Sequence, residues 1–428
     1  MIDKRPAAIA RCANVADVSA AVNFARTHRL DVAVRGGGHN IAGSALCDGG
    51  LVIDLSSMKR VHVDPLAQRA YVQAGATLAD VDRETQKFGL AVPTGINSTT
   101  GIAGLTLGGG FGWLSRRLGL TIDSLLSTEV VKADGQTVHA NAAENADLFW
   151  ALRGGGGNFG IVTKFEFRLH RVGPEVFAGL IVFPLTDAKS VLQKYRAFMA
   201  TAPLELNVWA ILRKAPPLPF LSSEIHGREV LVLAIFHTGG RLEESLALVE
   251  PLRGLGKRCG EHLGLQPFTA WQQAFDPLLA PGARNYWKSH NFAKLDEGLF
   301  DAAIESARQL PSPDCEIFIG ALGGAVTKPA VDSTAYGARD ANFAMNVHSR
   351  WETPEEDRAC IAWARAFHKA AEPFATGSVY VNFLTGDESE RVAAAYGPNY
   401  KRLAELKAKY DPDNLFHINQ NIKPAGKP

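Results

Sequence analysis

The sequence predicts an α+β protein with more than one domain, and three observations support this prediction. The first 172 residues alternate helical and strand-like segments and contain clusters of glycine. From about residue 175 to 370 glycine is rarer, and apolar strands alternate with amphipathic helices, which favours a mainly antiparallel sheet covered by helices. A chain of 428 residues is also about three times the length of an average domain.

The composition is that of an ordinary globular protein. Hydrophobic residues make up 46% and charged residues 21%, which excludes a disordered chain and a coiled coil. The formal net charge is +1 and no basic stripe or polybasic tail occurs, so neither a nucleic acid nor an anionic membrane is expected as a partner. No apolar run approaches the roughly 18 residues that a membrane-spanning helix needs.

Cysteine usage and the N-terminus bear on the compartment. The first 18 residues contain Asp3 beside Lys4 and Arg5 and no continuous apolar run, so they are not expected to be a signal peptide. The odd number of cysteines, without CxxC or metal-ligand spacing, predicts buried free thiols in a cytoplasmic protein and no metal site. These cysteines are Cys12, Cys47, Cys259, Cys315 and Cys360.

Capping signals define helices in the N-terminal region. Asn14 is expected to cap the first helix. Thr77 is expected to open a second, with Asp80 as its capping partner and Gly89 at its end. The other elements expected here are strands at 31–34, 51–55, 70–74 and 161–169 and a helix at 142–152.

The remaining chain predicts a second group of strands and helices. The strands are expected at 176–183, 229–236, 316–322 and 343–350, and the helices at 186–200, 241–253 and 354–371. The last fifty residues predict a strand at 378–384, a helix at 389–409 and a polar tail.

Three glycine clusters dominate the first region, at 35–40, 95–112 and 153–160. The third contains GxGxxG, but a helix precedes it and a strand follows, the reverse of a nicotinamide-binding Rossmann turn. Glycine lets the backbone approach a pyrophosphate closely and bind it through N–H groups. Tight turns alone explain any single cluster, whereas three in one domain favour a cofactor site.

His39, at the end of the first cluster, has two open interpretations. It is either a hydrogen-bonding loop residue or a nucleophilic imidazole beside a cofactor. A metal-ligand role is not expected, because no second histidine or carboxylate lies at ligand spacing.

Four separated motifs carry a family resemblance. They are Arg35-Gly-Gly-Gly-His39-Asn40, the run Gly101 to Trp113, the run Leu152 to Val162, and a closing part made of Tyr380-Val-Asn-Phe383 and 409–422. Together they resemble the berberine-bridge-enzyme-like flavoprotein oxidases of the vanillyl-alcohol-oxidase superfamily, in particular the bacterial branch that includes 6-hydroxynicotine oxidases. The resemblance spans nearly the whole chain. Relatives carry a further segment before Ile2; whether this protein lacks it or the chain is trimmed stays open.

The resemblance implies the domain organisation and the cofactor. Residues 1–172 would form a PCMH-type FAD-binding domain and 173–376 a substrate-binding α+β domain, with 377–428 returning to the first. His39 would be bonded to the flavin 8α-methyl carbon. Many relatives have a second, cysteinyl bond; here Asn97 stands in that place, so a single histidyl bond is expected.

The resemblance also implies which residues contact FAD. Thr100 occupies a position beside the flavin where a small side chain leaves room for oxygen, which favours an oxidase. The full set is Arg35, Gly36, Gly37, Gly38, His39 and Asn40 around the pyrophosphate; Gly95, Asn97, Thr100, Gly101, Gly104 and Leu105 in the second cluster; Asn158, Gly160 and Val162 at the ADP half; and Asn419 and Asn421 in the tail.

Candidates for catalysis come from two predicted strands. Tyr380 and Asn382 share a face, so Asn382 is expected to orient the substrate and Tyr380 to act as a base, unless Tyr380 only packs within the sheet. Glu316 is the one ionisable residue on its face of 316–322 and is either catalytic or a surface carboxylate. Trp209 and His348 either line the pocket or belong to the core.

The resulting expectation is an FAD-dependent oxidase. It would take a hydride from a C–O or C–N carbon of a small organic substrate, with O2 as electron acceptor and H2O2 as product, and would be a monomer or homodimer. One alternative is a dehydrogenase or oxidative cyclase with another acceptor. The other is a non-catalytic flavin-binding protein.

Overall fold

The computed structural model describes residues 2–426, and its first part contains three small sheets. The order β1-β3-β2 is parallel, β4-β5-β9-β7-β8 is antiparallel, and β6 pairs with β10. The elements are β1 (Ala8–Arg11), α1 (Val15–His28), β2 (Val32–Arg35), β3 (Leu51–Asp54), β4 (Val61–Asp64), β5 (Arg69–Gln73), α2 (Leu78–Thr85), β6 (Leu90–Ala91), α3 (Ile102–Leu107), α4 (Ser115–Leu118), β7 (Leu125–Val131), β8 (Thr137–Asn141), α5 (Ala146–Leu152), β9 (Ile161–Arg168) and β10 (His170–Arg171).

The predicted helix caps are confirmed. The Asn14 Oδ1 accepts the backbone N–H of Asp17 at 3.1 Å at the start of α1. At the start of α2, Thr77 and Asp80 form a reciprocal capping box. Such caps satisfy backbone N–H groups that have no partner within the helix.

The second part is one seven-stranded sheet, and the prediction of a mainly antiparallel sheet is confirmed. Its order is β14-β11-β13-β12-β16-β17-β15, and every pairing is antiparallel. The elements are β11 (Glu175–Pro184), α6 (Ala188–Thr201), β12 (Leu206–Lys214), β13 (Glu229–His237), α7 (Leu242–Arg253), β14 (Gly260–Pro267), α8 (Phe268–Gln273), β15 (Arg284–Phe292), α9 (Glu297–Ala307), β16 (Glu316–Ala321), β17 (Phe343–Trp351) and α10 (Asp357–Ala371). The strand ranges expected from the sequence did not include β12, β14 or β15; the last two carry many polar residues.

The two faces of this sheet have different partners. Helices α6, α9 and α10 cover one face and bury an apolar core against it. The other face meets the first part of the chain, where the Asn207 Nδ2 donates to the Trp113 carbonyl oxygen at 3.1 Å. A bidentate ion pair between Arg339 and Asp123, at 2.7 and 2.8 Å, also joins the two parts.

The C-terminal region differs from two predictions. The expected strand at 378–384 is a loop with a single 3₁₀ turn at Val381–Phe383, because its side chains bond to the first part rather than its backbone to a neighbouring strand. The expected helix at 389–409 is divided into α11 (Val392–Tyr396) and α12 (Tyr400–Tyr410). Pro398 lacks an N–H and Gly397 has φ 55°, which together end the helix.

Some features concern the described residues as a whole. The five cysteines are free thiols, four buried and Cys259 half-buried. Within residues 2–426 no helix is both long and apolar enough to cross a membrane. In the same part of the chain no three histidine, cysteine or carboxylate side chains form a group that could hold a metal ion.

Candidate active site

A cavity lies between the seven-stranded sheet and the first part of the chain. All three glycine clusters reach it, together with the C-terminal tail and the segment 380–383. Of the residues predicted from the sequence, those that line it are Gly36, Gly37, Gly38, His39, Asn40, Gly95, Asn97, Thr100, Gly101, Gly104, Leu105, Asn158, Gly160, Val162, Tyr380, Asn382 and Asn419. Arg35, Glu316 and Asn421 do not line it.

The first two glycine clusters meet backbone to backbone. A Cβ added at Gly37 would lie 2.4 Å from the Gly101 nitrogen, and one added at Gly101 would lie 2.4 Å from the Gly37 nitrogen. Any side chain at either position would therefore force the loops apart. This contact holds the loop 36–40 against the N-terminus of α3.

Two other glycines leave space in the cavity wall. A Cβ at Gly104 or Gly157 would meet no atom within 4 Å, and both residues line the cavity. Space bordered by glycine backbone, next to further glycines at the ends of several loops, fits a large cofactor with a pyrophosphate group. The glycine-bordered spaces and backbone N–H groups of this site therefore fit FAD.

His39 lies in the cavity wall as a largely buried imidazole. Burial lowers its pKa, partly offset by the neighbouring Asn97 amide and the Asp276 carboxylate, so the ring is neutral near pH 7. Asp276 also accepts hydrogen bonds from the N–H and the hydroxyl of Ser98, at 2.8 and 2.5 Å. A neutral imidazole with a free lone pair is the form that can act as a nucleophile.

Asn158 has a different role from the predicted one. Its Nδ2 donates to the carbonyl oxygens of Gly155 and Gln420, at 2.9 and 3.2 Å, and its Oδ1 accepts the N–H of Ile422 at 2.9 Å. The buried Lys407 ammonium also donates to the Asn158 carbonyl oxygen at 2.8 Å. The Asn158 side chain therefore anchors the C-terminal tail against the cavity instead of offering its amide to a ligand.

Tyr380 and Asn382 stand side by side in the cavity wall, although they lie in a turn and not on a strand. The Asn382 Nδ2 donates to the Tyr380 hydroxyl oxygen at 2.9 Å and to the Leu105 carbonyl oxygen at 3.3 Å. The Gly110 N–H donates to the same hydroxyl at 3.1 Å. Burial raises the pKa of Tyr380 to about 12, although these two hydrogen bonds act to lower it.

The role of Tyr380 as a base stays a prediction, which its contacts and its raised pKa do not favour near neutral pH. Its oxygen already accepts two hydrogen bonds, and a phenol with this pKa keeps its proton. Its remaining capacity is to donate one hydrogen bond. Tyr380 can thus donate a hydrogen bond to a ligand in the cavity that it lines.

Aromatic side chains form the part of the cavity beside the seven-stranded sheet, here called the aromatic chamber. It consists of Phe111, Trp209, Trp287, Phe318 and Phe383, together with the imidazole of His348. The rings of Trp209 and Phe318 stack 5.5 Å apart, and the Phe383 ring meets those of Trp287 and Phe318 edge-on. Such a surface binds flat apolar groups.

Glu316 lies behind this chamber and not in it. Its carboxylate accepts Arg213 Nη1 at 2.7 Å, and its other oxygen lies 3.0 Å from His348 Nδ1. Glu316 is therefore not a surface carboxylate and does not line the cavity, whereas its part in catalysis stays a prediction. His348, which the sequence left as a pocket or core residue, lines the chamber.

The sequence analysis missed Trp287, Phe111, Phe383 and Gln420, all of which line the cavity. Trp287 lies on the unrecognised strand β15, where alternate polar residues hide the apolar pattern. The aromatic residues of this strand, which favour strands, were the available signal. Nothing local in the sequence indicates that Gln420 turns toward the cavity, since a tertiary contact holds it there.

Comparisons with known proteins agree with this geometry. A family model described as an FAD binding domain matches residues 6–141, and one described as berberine and berberine like matches 379–423. An FAD-linked oxidoreductase of Dictyostelium discoideum is 33% identical over 96% of this chain and 87% of that protein. The (R)-6-hydroxynicotine oxidase of Paenarthrobacter nicotinovorans is 32% identical over 99% of this chain and 92% of that protein.

Two solved structures show the same fold. The 6-hydroxy-D-nicotine oxidase of Arthrobacter nicotinovorans superposes with a TM-score of 0.86 at 27% identity, covering 98% of this chain and 92% of that one. A xylooligosaccharide oxidase of Myceliophthora thermophila in complex with xylobiose superposes with a TM-score of 0.87 at 26% identity, covering 99% and 92% of the two chains.

Proposed function

Because the chain belongs to the berberine-bridge-enzyme-like FAD-linked oxidoreductases of the PCMH superfamily, we propose that it is an oxidase acting on small organic substrates. The reaction would remove a hydride from a C–O or C–N carbon. The observation that carries this proposal is the continuity of one cavity, which joins the glycine-bordered wall to the aromatic chamber at Tyr380 and Asn382.

The residues of the first part would hold the cofactor. The loop 36–40 and the Gly104 and Gly157 spaces would take the pyrophosphate and the adjoining groups, and residues 1–172 with 377–428 would form the FAD domain. His39 would carry the only covalent bond to the flavin, because Asn97 offers no thiol. When bound, FAD supplies the oxidant for the substrate and passes the electrons to O2, giving H2O2.

Tyr380 and Asn382 would orient the substrate. The Tyr380 hydroxyl would donate a hydrogen bond to the substrate oxygen or nitrogen. Asn382 would hold the phenol in place and present its own Oδ1 to the substrate. Residues 173–376 would cover this region and exclude water from it.

The aromatic chamber supports a particular kind of substrate. Its walls are five aromatic rings, and the groups on it that can hydrogen-bond are few. Sugars require many such groups, and a cationic amine requires an acidic one, whereas a flat apolar molecule with one hydroxyl group matches the wall. We therefore propose aryl-substituted alcohols as the first substrates to test.

Acid precipitation of the purified protein tests the cofactor proposal. Yellow colour is expected to stay with the wild-type pellet and to move to the supernatant in the His39→Ala variant, while a His62→Ala control behaves as wild type. Flavin released from the wild-type protein would contradict the proposed covalent bond to His39. A mass corresponding to a second flavin attachment would contradict the single link.

Peroxide release tests the oxidase proposal. Reduced enzyme exposed to air is expected to reoxidise with formation of about one H2O2 per flavin. Slow reoxidation without peroxide, together with rapid reoxidation by an artificial quinone, would instead identify a dehydrogenase.

A further inference from the structure

Four side chains lie directly opposite one another on four neighbouring strands. Register places Arg213 of β12 opposite Glu316 of β16, Glu316 opposite His348 of β17, and His348 opposite Trp287 of β15. All four therefore project from the sheet face that meets the cavity. This arrangement is called the cross-strand row below.

His348 is the member of the row that combines a reactive nitrogen with access to the chamber. Its ring stacks on Trp287 at 4.6 Å and meets the edge of Phe318 at 5.0 Å, which fixes the ring plane. Its Nε2 is buried and finds no hydrogen-bond partner in residues 2–426. A buried polar atom without a partner at a cavity wall is positioned for a ligand.

The other ring nitrogen determines the tautomer. His348 Nδ1 lies 3.0 Å from Glu316 Oε1, and Glu316 Oε2 accepts Arg213 Nη1 at 2.7 Å. A carboxylate can only accept, so Nδ1 carries a proton, and in the neutral ring the lone pair is then on Nε2. Burial acts to raise the pKa of Glu316, but the Arg213 charge and the His348 hydrogen bond outweigh it and hold that pKa below its usual range.

The nearest polar neighbours of His348 along the row are Glu316 of β16 and, beyond it, Arg213 of β12. The ring otherwise contacts the uncharged side chains of Trp287 on β15 and Phe318 on β16. Arg350 is the next residue on the same face of β17, and its Nη2 donates to the Ala280 carbonyl oxygen.

We propose that His348 is the general base of the reaction, with Glu316 and Arg213 as positioning residues; this inference rests on the proposed function. As the substrate C–H bond gives up its hydride to the oxidised cofactor, the substrate O–H proton passes to His348 Nε2. The electrons of the O–H bond then form the second bond between carbon and oxygen. Electrons and atoms balance as alcohol to carbonyl plus one hydride and one proton, and the proton leaves later to water.

Anaerobic stopped-flow measurement of flavin bleaching by 4-methoxybenzyl alcohol tests the proposal on the holoenzyme. The His348→Gln variant is expected to keep its flavin spectrum and bleach roughly 100-fold more slowly or worse, the usual effect of losing a general base. Glu316→Gln is expected to slow bleaching less than His348→Gln does, because it loosens the ring without removing Nε2. The exposed His262→Gln control should leave the rate unchanged.

Imidazole ¹⁵N NMR gives a readout that does not require turnover. The His348 signals, assigned by their loss in His348→Gln, are expected to show the proton on Nδ1 in the wild type and a mixture of the two tautomers in Glu316→Gln. If the alcohol fails to bleach the wild type, the proposed substrate class fails, and the NMR result still decides the role of His348. A proton on Nε2 in the wild type, or wild-type bleaching by His348→Gln, would each overturn the proposal.

Discussion

Asn382 Nδ2 donates a hydrogen bond to the Tyr380 hydroxyl at 2.9 Å, and the Gly110 N–H donates to the same oxygen at 3.1 Å. The two residues are neighbours because the segment 380–383 turns instead of forming a strand. With two donors on its oxygen, the phenol is held in one orientation and its hydrogen is left for a third partner. Four predictions follow from this and from other contacts of the molecule, in addition to the tests given above.

Tyr380→Phe is expected to slow flavin bleaching by 4-methoxybenzyl alcohol by roughly 10- to 100-fold, since one hydrogen bond to the reacting substrate is worth about 1–3 kcal/mol. The pH profile near neutrality should stay as in the wild type, because the pKa of Tyr380 is raised to about 12. Stopped-flow measurement between pH 6 and 9 checks both. Loss of a titrating limb from the profile would instead restore Tyr380 as the base.

Gly157→Ala is expected to weaken FAD binding without disturbing the fold, because its added methyl group would meet no protein atom and would occupy cavity space. The effect should be about tenfold in Kd, or roughly 1.4 kcal/mol, measured by flavin fluorescence titration in the His39→Ala background, where FAD binds reversibly. Gly264→Ala, equally uncrowded but on the edge strand β14, is the control. Equal affinities for the two variants would place the cofactor elsewhere.

Lys407→Met is expected to destabilise the protein by about 3–5 kcal/mol, the usual result of removing one partner of a buried ion pair. Lys407 and Asp411 are both fully buried, and the Lys407 ammonium also binds the carbonyl oxygens of Asn158 and Phe416, at 2.8 and 2.9 Å. The control Lys409→Met breaks an exposed pair with Asp147 and should cost at most about 1 kcal/mol. Denaturant unfolding checks both, and similar losses would contradict the anchoring role of Lys407.

Acid is expected to destabilise the protein through a stacked histidine pair, His290 and His368, whose ring centres lie 4.0 Å apart. Burial lowers the pKa of His290 to about 3 and that of His368 to about 4. Below the ordinary histidine pKa of about 6.5, the two histidines are protonated in the unfolded chain but stay neutral in the native pair. The free energy of unfolding therefore falls as pH decreases toward the native pKa values. The loss can reach about 1.4 kcal/mol per pH unit for each ring.

His368→Gln should reduce this acid sensitivity, because a glutamine side chain does not take up a proton. Its side-chain oxygen still offers an acceptor to Arg391, which donates to His368 Nε2 at 3.1 Å in the wild type. Melting temperatures at pH 7.5, 5.5 and 4.5 measure the slope, with the exposed His62→Gln as control. A slope unchanged in His368→Gln would show that other groups cause the acid loss.

Local signals in the sequence were sufficient for much of this protein. The caps at Asn14 and Thr77 depend on residues three positions apart, so short-range patterns predict them. The glycine clusters and the closing motif indicated the family, and all three clusters reach the one cavity. The antiparallel sheet of the second part followed from its alternating apolar strands and helices.

Non-local contacts decided the rest. The strand predicted at 378–384 failed because Tyr380 and Asn382 bond to residues some 270 positions earlier. The pKa of Tyr380 could not be judged from its residue type, since the pKa of a phenol depends on burial that only the folded chain provides.

The cross-strand row is the clearest case of an arrangement that the sequence alone could not predict. Arg213, Glu316, His348 and Trp287 come from four strands spread over about a third of the chain, and each pairing depends on antiparallel register. A shift of one residue on any strand would turn its side chain to the opposite face of the sheet. The sequence determined which chemical groups were available and to which family the chain belongs. Register and burial in the tertiary structure decided which of those groups meet at the cavity.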